Sequence, residues 1–294
     1  MERFFSKLMK RNKITAFLEL GRPWNSLSVI LLSLLGFILY SSSIELWSVF
    51  VLTVVVFLIY NGSSAINDLF DMKVDSINMP FRPLERGSIK AKDVMIFCAL
   101  CYVLGNAIAL LISFNFFVSI LIMSTVSIFY SAPPISLKDR IFLGNLGLGF
   151  VSMFTTLYAG YVMSTNSLIM SSQLLLQATS LTLLFSFFSI LKDFKDIGGD
   201  NIHGKKTVVT RLGAKKASML NILGTSVFFL TTILIFYLTS FQNYFFVLIS
   251  SVIFLLILIP LTKIYKNPTQ ETGEKYWGMG RLIFLFFLLS LFVF

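Results

Sequence analysis

The sequence predicts an all-α integral membrane protein with about nine transmembrane helices, arranged as two pseudo-repeated four-helix halves plus one around a central cavity. Three observations carry this. Of 294 residues, 56% are hydrophobic and only 13% are charged, about half the charged share of a soluble domain. Apolar runs of near-bilayer length recur along the whole chain. All 24 Lys and Arg fall on alternate connections between those runs.

Taken in order, residues 1–20 come first. They set Phe4, Phe5, Leu8, Met9, Phe17 and Leu18 among Lys7, Lys10, Arg11 and Lys13, the pattern of an amphipathic helix in the membrane interface. No small-residue cleavage site follows, so this is not read as a cleaved signal peptide. The apolar runs are 26–40, 46–60, 94–112, 116–129, 141–163, 174–191, 217–238, 244–264 and 282–294. Cys98 and Cys101, in the third run, have no second pair and no His nearby, and read as small packing residues. The whole of 1–294 reads as one membrane domain.

Six basic residues precede the first run, five lie between Lys73 and Lys92, Lys138 and Arg140 follow the fourth run, and seven lie between Lys192 and Lys216. Lys263, Lys266, Lys275 and Arg281 precede the last run, whereas the loops near 41–45, 113–115, 164–173 and 239–243 carry none. The positive-inside rule then puts the N-terminus and every basic loop in the cytoplasm and Phe294 outside, in a multi-pass protein of the cell membrane. The net charge of +10 is thus an asymmetry between membrane faces. It suits anionic headgroups or a diphosphate and calls for no nucleic acid.

The chain has 14 acidic residues, and six of them form two matching triplets. Asp68, Asp71 and Asp75 follow the second run, and Asp193, Asp196 and Asp200 follow the sixth, each set spaced i, i+3, i+7. On a helix that spacing lines one face, where three carboxylates repel unless a cation joins them. Mg²⁺ takes oxygen ligands and is usually held by one or two carboxylates plus substrate phosphates. Two such triplets suit about two Mg²⁺ bridged by a diphosphate. A solvated acidic helix end is the plainer alternative. It explains one triplet better than two of equal spacing on one membrane face.

Cations accompany the acids. Arg82 and Arg86 follow the first triplet, Lys192 and Lys195 interleave with the second, and Tyr130-Ser131-Ala132-Pro133-Pro134 leads to Lys138. Such groups hold phosphate oxygens and stabilise a departing diphosphate. Asn25, after Gly21-Arg22-Pro23, either meets a polar substrate group or caps the first membrane helix.

These motifs together resemble the UbiA superfamily of intramembrane prenyltransferases. The resemblance rests on Gly21-Arg22-Pro23-x-Asn25, Asn67-Asp68-x-x-Asp71-x-x-x-Asp75, Asn78-x-Pro80-x-Arg82-Pro83, Tyr130-Ser-x-Pro-Pro-x-x-x-Lys138 and Lys192-Asp193-x-x-Asp196-x-x-x-Asp200, in that order. It implies a nine-helix fold and a cytoplasmic-side site in a lipid-open cavity. Both triplets would ligate Mg²⁺, with Lys138 in the catalytic set and Asn25, Asn67, Arg82, Tyr130 and Lys192 on the substrate diphosphate. The implied reaction moves a prenyl group from a polyprenyl diphosphate to a lipophilic or aromatic acceptor through an allylic cation sheltered by aromatic side chains. The chain departs from the common pattern at Leu84-Glu85-Arg86-Gly87, where many members have Pro-Ser-Gly. Asn78-Met79-Pro80 likewise stands where hydroxybenzoate transferases carry Arg-Thr. That form, with Gly199-Asp200-x-x-His203-Gly204-x-x-Thr207, looks more like the branch of chlorophyll synthases and archaeal geranylgeranylglyceryl phosphate transferases. His203 reads as a surface loop residue rather than a base.

Three other readings stay open. A UbiA-type terpene cyclase uses the same metal site without an acceptor. A cation transporter or channel needs acids near the bilayer midplane, whereas these sit at helix ends on one face. A lipid-binding protein without activity has no use for intact triplets.

Overall fold

The computed structural model describes residues 13–292, leaving aside the side chains of Pro23 and Trp24. Among these residues all regular structure is helical. The first part of the predicted interfacial helix, residues 1–12, and the position of Phe294 lie outside the described residues. The remainder of that segment is α1 (Lys13–Leu20), followed by α2 (Pro23–Ile38), α3 (Leu46–Asn78), α4 (Ala91–Ile112) and α5 (Phe114–Ser131). Next, α6 (Leu143–Gly149) runs through a π-helical turn, Phe150–Phe154, into α7 (Thr155–Thr165). Then come α8 (Ser172–Phe188), α9 (Ile190–Ile202), α10 (Val208–Leu212), α11 (Ala214–Phe236), α12 (Tyr244–Lys266) and α13 (Gln270–Ser290).

Among the described residues each predicted apolar run is largely helical, but not every helix qualifies as a span. Six are long and apolar enough, and a seventh is gained if α8 and α9, bent by 41°, count together. The sequence predicts nine. The shortfall has two causes. The helix over the first run, α2, has only 16 residues. The helix over the last run, α13, begins well upstream and carries Glu271, Glu274, Lys275 and Arg281. The many exposed apolar side chains, such as Leu111, Phe114 and Leu255, suit a hydrocarbon solvent. The chain is an integral, multi-pass membrane protein.

The described chain separates into two compact units. One holds 13–136 and Thr155–Leu168, the other Leu137–Phe154 and 169–292. The chain first passes between units at Ser136–Leu137, between the fourth and fifth runs as two four-helix halves require, but Thr155–Leu168, inside and beyond the fifth run, returns to the first unit.

In the first unit α3 packs on α4 and α2 on α7. The α2–α7 crossing depends on two glycines. A side chain on Gly36 would collide with the Leu157 carbonyl, and one on Gly160 with the Ser33 carbonyl. Small residues of this kind let membrane helices approach closely where burial from water supplies no drive. Leu32, Leu35, Leu52, Val55, Ile59 and Phe116 fill the core. Several of its polar groups pair locally: Tyr102 and Ser127 hydroxyls meet at 2.7 Å, and Asn106 Nδ2 donates to Ser124 Oγ at 3.0 Å. Cys98 and Cys101 are free and buried, in keeping with packing roles.

In the second unit α8 packs on α11, and α13 on both α9 and α12. The core is aromatic. Phe188 stacks on Phe284 at 5.3 Å between ring centres, and Phe229 meets Phe287 at 4.5 Å. The bend between α8 and α9 falls at Ser189. Its hydroxyl donates to the Ser186 carbonyl at 2.9 Å and accepts from Asn145 Nδ2 at 2.9 Å. A serine hydroxyl that bonds back to a carbonyl of the preceding turn often bends a helix, and this kink sets the direction of α9.

Candidate active site

In the first unit the site begins at the far end of α3. At 1.5 Å per residue, its 33 residues extend about 50 Å, beyond a hydrocarbon core of roughly 30 Å. The last turns carry Asn67, Asp68, Asp71 and Asp75, and all three carboxylates are buried. They are not left to repel one another. After α3 ends at Asn78, the chain folds back through backbone bonds from Arg82 N to Met79 O (3.0 Å) and from Ser88 N to Pro83 O (2.9 Å). This brings the Arg82 guanidinium between two acids: Nη1 lies 3.0 Å from Asp68 Oδ1 and also bonds Asp75 Oδ2.

A second arginine arrives from the other side. Arg22 ends the α1–α2 connection in a left-handed conformation, φ 47°, and its Nη2 bonds Asp68 Oδ1. Asp71 is treated differently: its Oδ2 accepts from Asn67 Nδ2 at 2.7 Å. The structure therefore joins Asp68 and Asp75 through Arg82 and gives Asp71 to its helix neighbour. Asn25 lies half-buried in the first turn of α2, whose N-cap falls on Arg22. Tyr130 is buried in the last turn of α5, ahead of the cis Pro133–Pro134 peptide.

In the second unit the acids line α9. Asp193 and Asp200 are buried, and Asp196 is half-buried with Lys195 Nζ 3.2 Å from its Oδ1. Asn145 of α6 hydrogen-bonds Asp193, while Asp193 Oδ2 is buried without a partner. Lys192 lies within electrostatic reach of Asp193. Lys138 sits on a short 3₁₀ turn, Leu137–Asp139, packed against Gly144, and Asp139 Oδ1 lies 3.5 Å from Lys205 Nζ. Gly273 of α13 lets this face close: a side chain there would stand 2.5 Å from the Lys195 backbone nitrogen. His203 is exposed, with its Nδ1 at 3.0 Å from the Gly199 carbonyl.

The donors fit a hard divalent cation. Each motif offers only carboxylate oxygen, the ligand type of Mg²⁺. The buried, unpartnered Asp193 Oδ2 leaves one lone-pair face open to a cation. Among the described residues no three acidic, His or Cys side chains converge into a closed cage.

Sequence reasoning overlooked two residues here. Arg22 stands in a recognised motif, yet by sequence it reads only as a basic residue of the N-terminal segment. Its signal is its place in Gly21-Arg22-Pro23-x-Asn25, directly before the first membrane helix. Asn145 is a lone amide in an apolar run, and polar groups at membrane depth are functional candidates by default.

Residues 28–291 match the profile of the UbiA prenyltransferase family. A digeranylgeranylglyceryl phosphate synthase of Methanosarcina mazei is 37% identical over 169 residues, 58% of this chain and 56% of that protein. Its counterpart in Methanococcoides burtonii is 29% identical over 291 residues, 94% of this chain and 98% of that one. Among solved structures, a UbiA homologue from Archaeoglobus fulgidus bound to GPP and Mg²⁺ superimposes with a TM-score of 0.70 at 19% identity, covering 95% of this chain and all of that one. A structure of digeranylgeranylglyceryl phosphate synthase gives the same TM-score at 23% identity, covering 96% and 98%.

Proposed function

This chain belongs to the UbiA prenyltransferase family, and from that premise we propose that it transfers a prenyl group from a polyprenyl diphosphate to a hydroxyl-bearing, lipid-like acceptor within the membrane. The acceptor class follows its relatives, whose name gives a glyceryl phosphate with two geranylgeranyl groups as product. An aromatic acceptor is the alternative. The observation that carries the reading is the pairing of buried acids with arginine: Asp68 and Asp75 are bridged by Arg82, with Arg22 also on Asp68. Three carboxylates and two guanidiniums (3 − 2) leave the first motif one negative charge, poised for a cation and its anionic substrate.

The roles follow from chemistry. Asp68, Asp71, Asp75, Asp193, Asp196 and Asp200 hold about two Mg²⁺. Bound there, Mg²⁺ neutralises the diphosphate and makes it a better leaving group. Arg82, Arg22, Lys138 and Lys192 bind phosphate oxygens, and Arg82 presents the planar fork that suits a phosphate. Asn25, Asn67 and Tyr130 orient the diphosphate by hydrogen bonds. Aromatic side chains exclude water from the allylic cation. Both units act as one membrane domain over 1–294, with the N-terminus and the acid-bearing ends facing the cytoplasm by the positive-inside rule.

The test uses purified protein in detergent with Mg²⁺ and dimethylallyl, geranyl or geranylgeranyl diphosphate, with and without glyceryl phosphate and aromatic acceptors. Asp68→Ala or Asp196→Ala abolishes diphosphate release while the protein still inserts. Near-normal Mg²⁺-dependent turnover in both variants sinks the assignment. Prenyl product formed without any acceptor points to a cyclase, and cation flux with no product to a transporter.

A further inference from the structure

Residues 82–89 form a tight turn, with backbone bonds from Arg86 N to Arg82 O (3.0 Å) and from Gly87 N to Leu84 O (3.2 Å). Both flanks of it are fastened. Arg82 is held by Asp68 and Asp75. Arg86 grips Glu19 of α1 with two nitrogens, at 2.9 and 3.1 Å, and donates to Ser88 Oγ at 2.7 Å and to the Phe81 carbonyl at 3.1 Å. Between these anchors stands Glu85. Its carboxylate oxygens are both buried, and no other residue hydrogen-bonds to either.

A buried carboxylate without partners is costly as an anion, and in a native fold it asks for a reason. Neither neighbouring arginine supplies one, because both are committed elsewhere. The charged groups that act on Glu85 are Asp75 and Asp68 of α3 and Arg82 of its own turn, while Glu19 of α1 is paired with Arg86. Burial, reinforced by the two aspartates, lifts the Glu85 pKa to about 7, against the pull of its own backbone N–H and of Arg82. The group is therefore a weak base on a rigid turn beside the first acid motif. Nothing in the diphosphate chemistry above uses it. General bases work best when their pKa lies near the working pH.

We propose that Glu85 takes the proton from the acceptor hydroxyl during prenyl transfer. This rests on the transferase reading above. The bond between the prenyl carbon and the diphosphate oxygen breaks, and its electron pair leaves with the diphosphate. A lone pair on the acceptor oxygen forms the new C–O bond. The O–H bond breaks, its electrons stay on that oxygen, and the proton passes to the Glu85 carboxylate and then to water.

The experiment measures the product rate against pH, using the full chain in detergent with Mg²⁺, geranylgeranyl diphosphate and a mono-geranylgeranylated glyceryl phosphate. In the wild type kcat/KM climbs with pH as the Glu85 carboxyl ionises and then levels off. Glu85→Gln loses that limb and falls roughly 100-fold or more at the plateau. Glu85→Asp keeps a limb at a shifted pH. A second readout needs no turnover. Between its ordinary pKa of 4.5 and about 7 the folded chain keeps a proton that the unfolded chain has released. Wild-type stability therefore falls, relative to Glu85→Gln, as pH rises across that window. A Glu85→Gln enzyme with the wild-type limb and a rate within a few-fold overturns the proposal. If that variant does not fold, a Glu85→Asp profile identical to wild type overturns it. Failure of the wild type to release diphosphate from any donor defeats the transferase reading itself, and this role with it.

Discussion

Arg82 is held between two buried carboxylates, its own side chain 12% exposed against 3% for Asp68 and 10% for Asp75. Removing one member of such a buried set leaves charge without compensation, which costs about 3–5 kcal/mol. Arg82→Ala is accordingly expected to unfold at lower temperature in EDTA, with Mg²⁺ restoring part of the loss because a bound cation replaces the missing charge. Thermal unfolding in detergent with and without Mg²⁺ reads this, and a variant as stable as wild type in EDTA counts against the bridge. Arg82→Lys keeps the charge but not the fork, so the donor KM rises about tenfold, equivalent to ~1.4 kcal/mol. The acids themselves were legible, because six aspartates in two identical spacings stand out in an apolar chain. Their partners were not. Arg22 meets Asp68 across 46 positions, and Asn145 reaches Asp193 from a different helix. Such pairings depend on packing that no local pattern encodes. Even the shared face of the first triplet was only half readable, since Asp71 turns to Asn67 while its two neighbours share Arg82.

The helices follow hydropathy closely, and what hydropathy missed is charge and curvature. A window count takes 282–294 for a span, yet the helix there starts at Gln270 and carries polar groups through its first half. The break at Ser189 was invisible, because a serine in an apolar run announces no bend until Asn145 is seen to hold it. Gly273 is the close-approach position that bears on the second acid motif. Gly273→Val forces α13 away from the backbone at Phe194 and Lys195. The overpacking is expected to cost about 1–3 kcal/mol and, by shifting α9, to raise the donor KM more than Gly278→Val, where the added atoms meet open space. Unfolding temperatures and KM for both variants check this, and equal effects refute the positional argument.

At the level of the whole molecule, the charge map makes its own prediction about sidedness. In a background lacking Cys98 and Cys101, an impermeant thiol reagent applied to intact cells should label Ser42→Cys, and should reach Lys206→Cys only after the membrane is opened. Both positions are exposed. The reverse pattern inverts the topology. The two-part build was anticipated from the repeated acid motif, but the return of Thr155–Leu168 to the first unit was not, because it begins within an uninterrupted apolar run. That division bears on biogenesis. Besides α3, α2 packs on α7, which the ribosome delivers only after Leu137–Phe154 has been made. The first unit therefore cannot finish assembling as it leaves the translocon. It must wait, with the seam of Gly36 open, while the opening residues of the second unit pass into the bilayer ahead of its last helix.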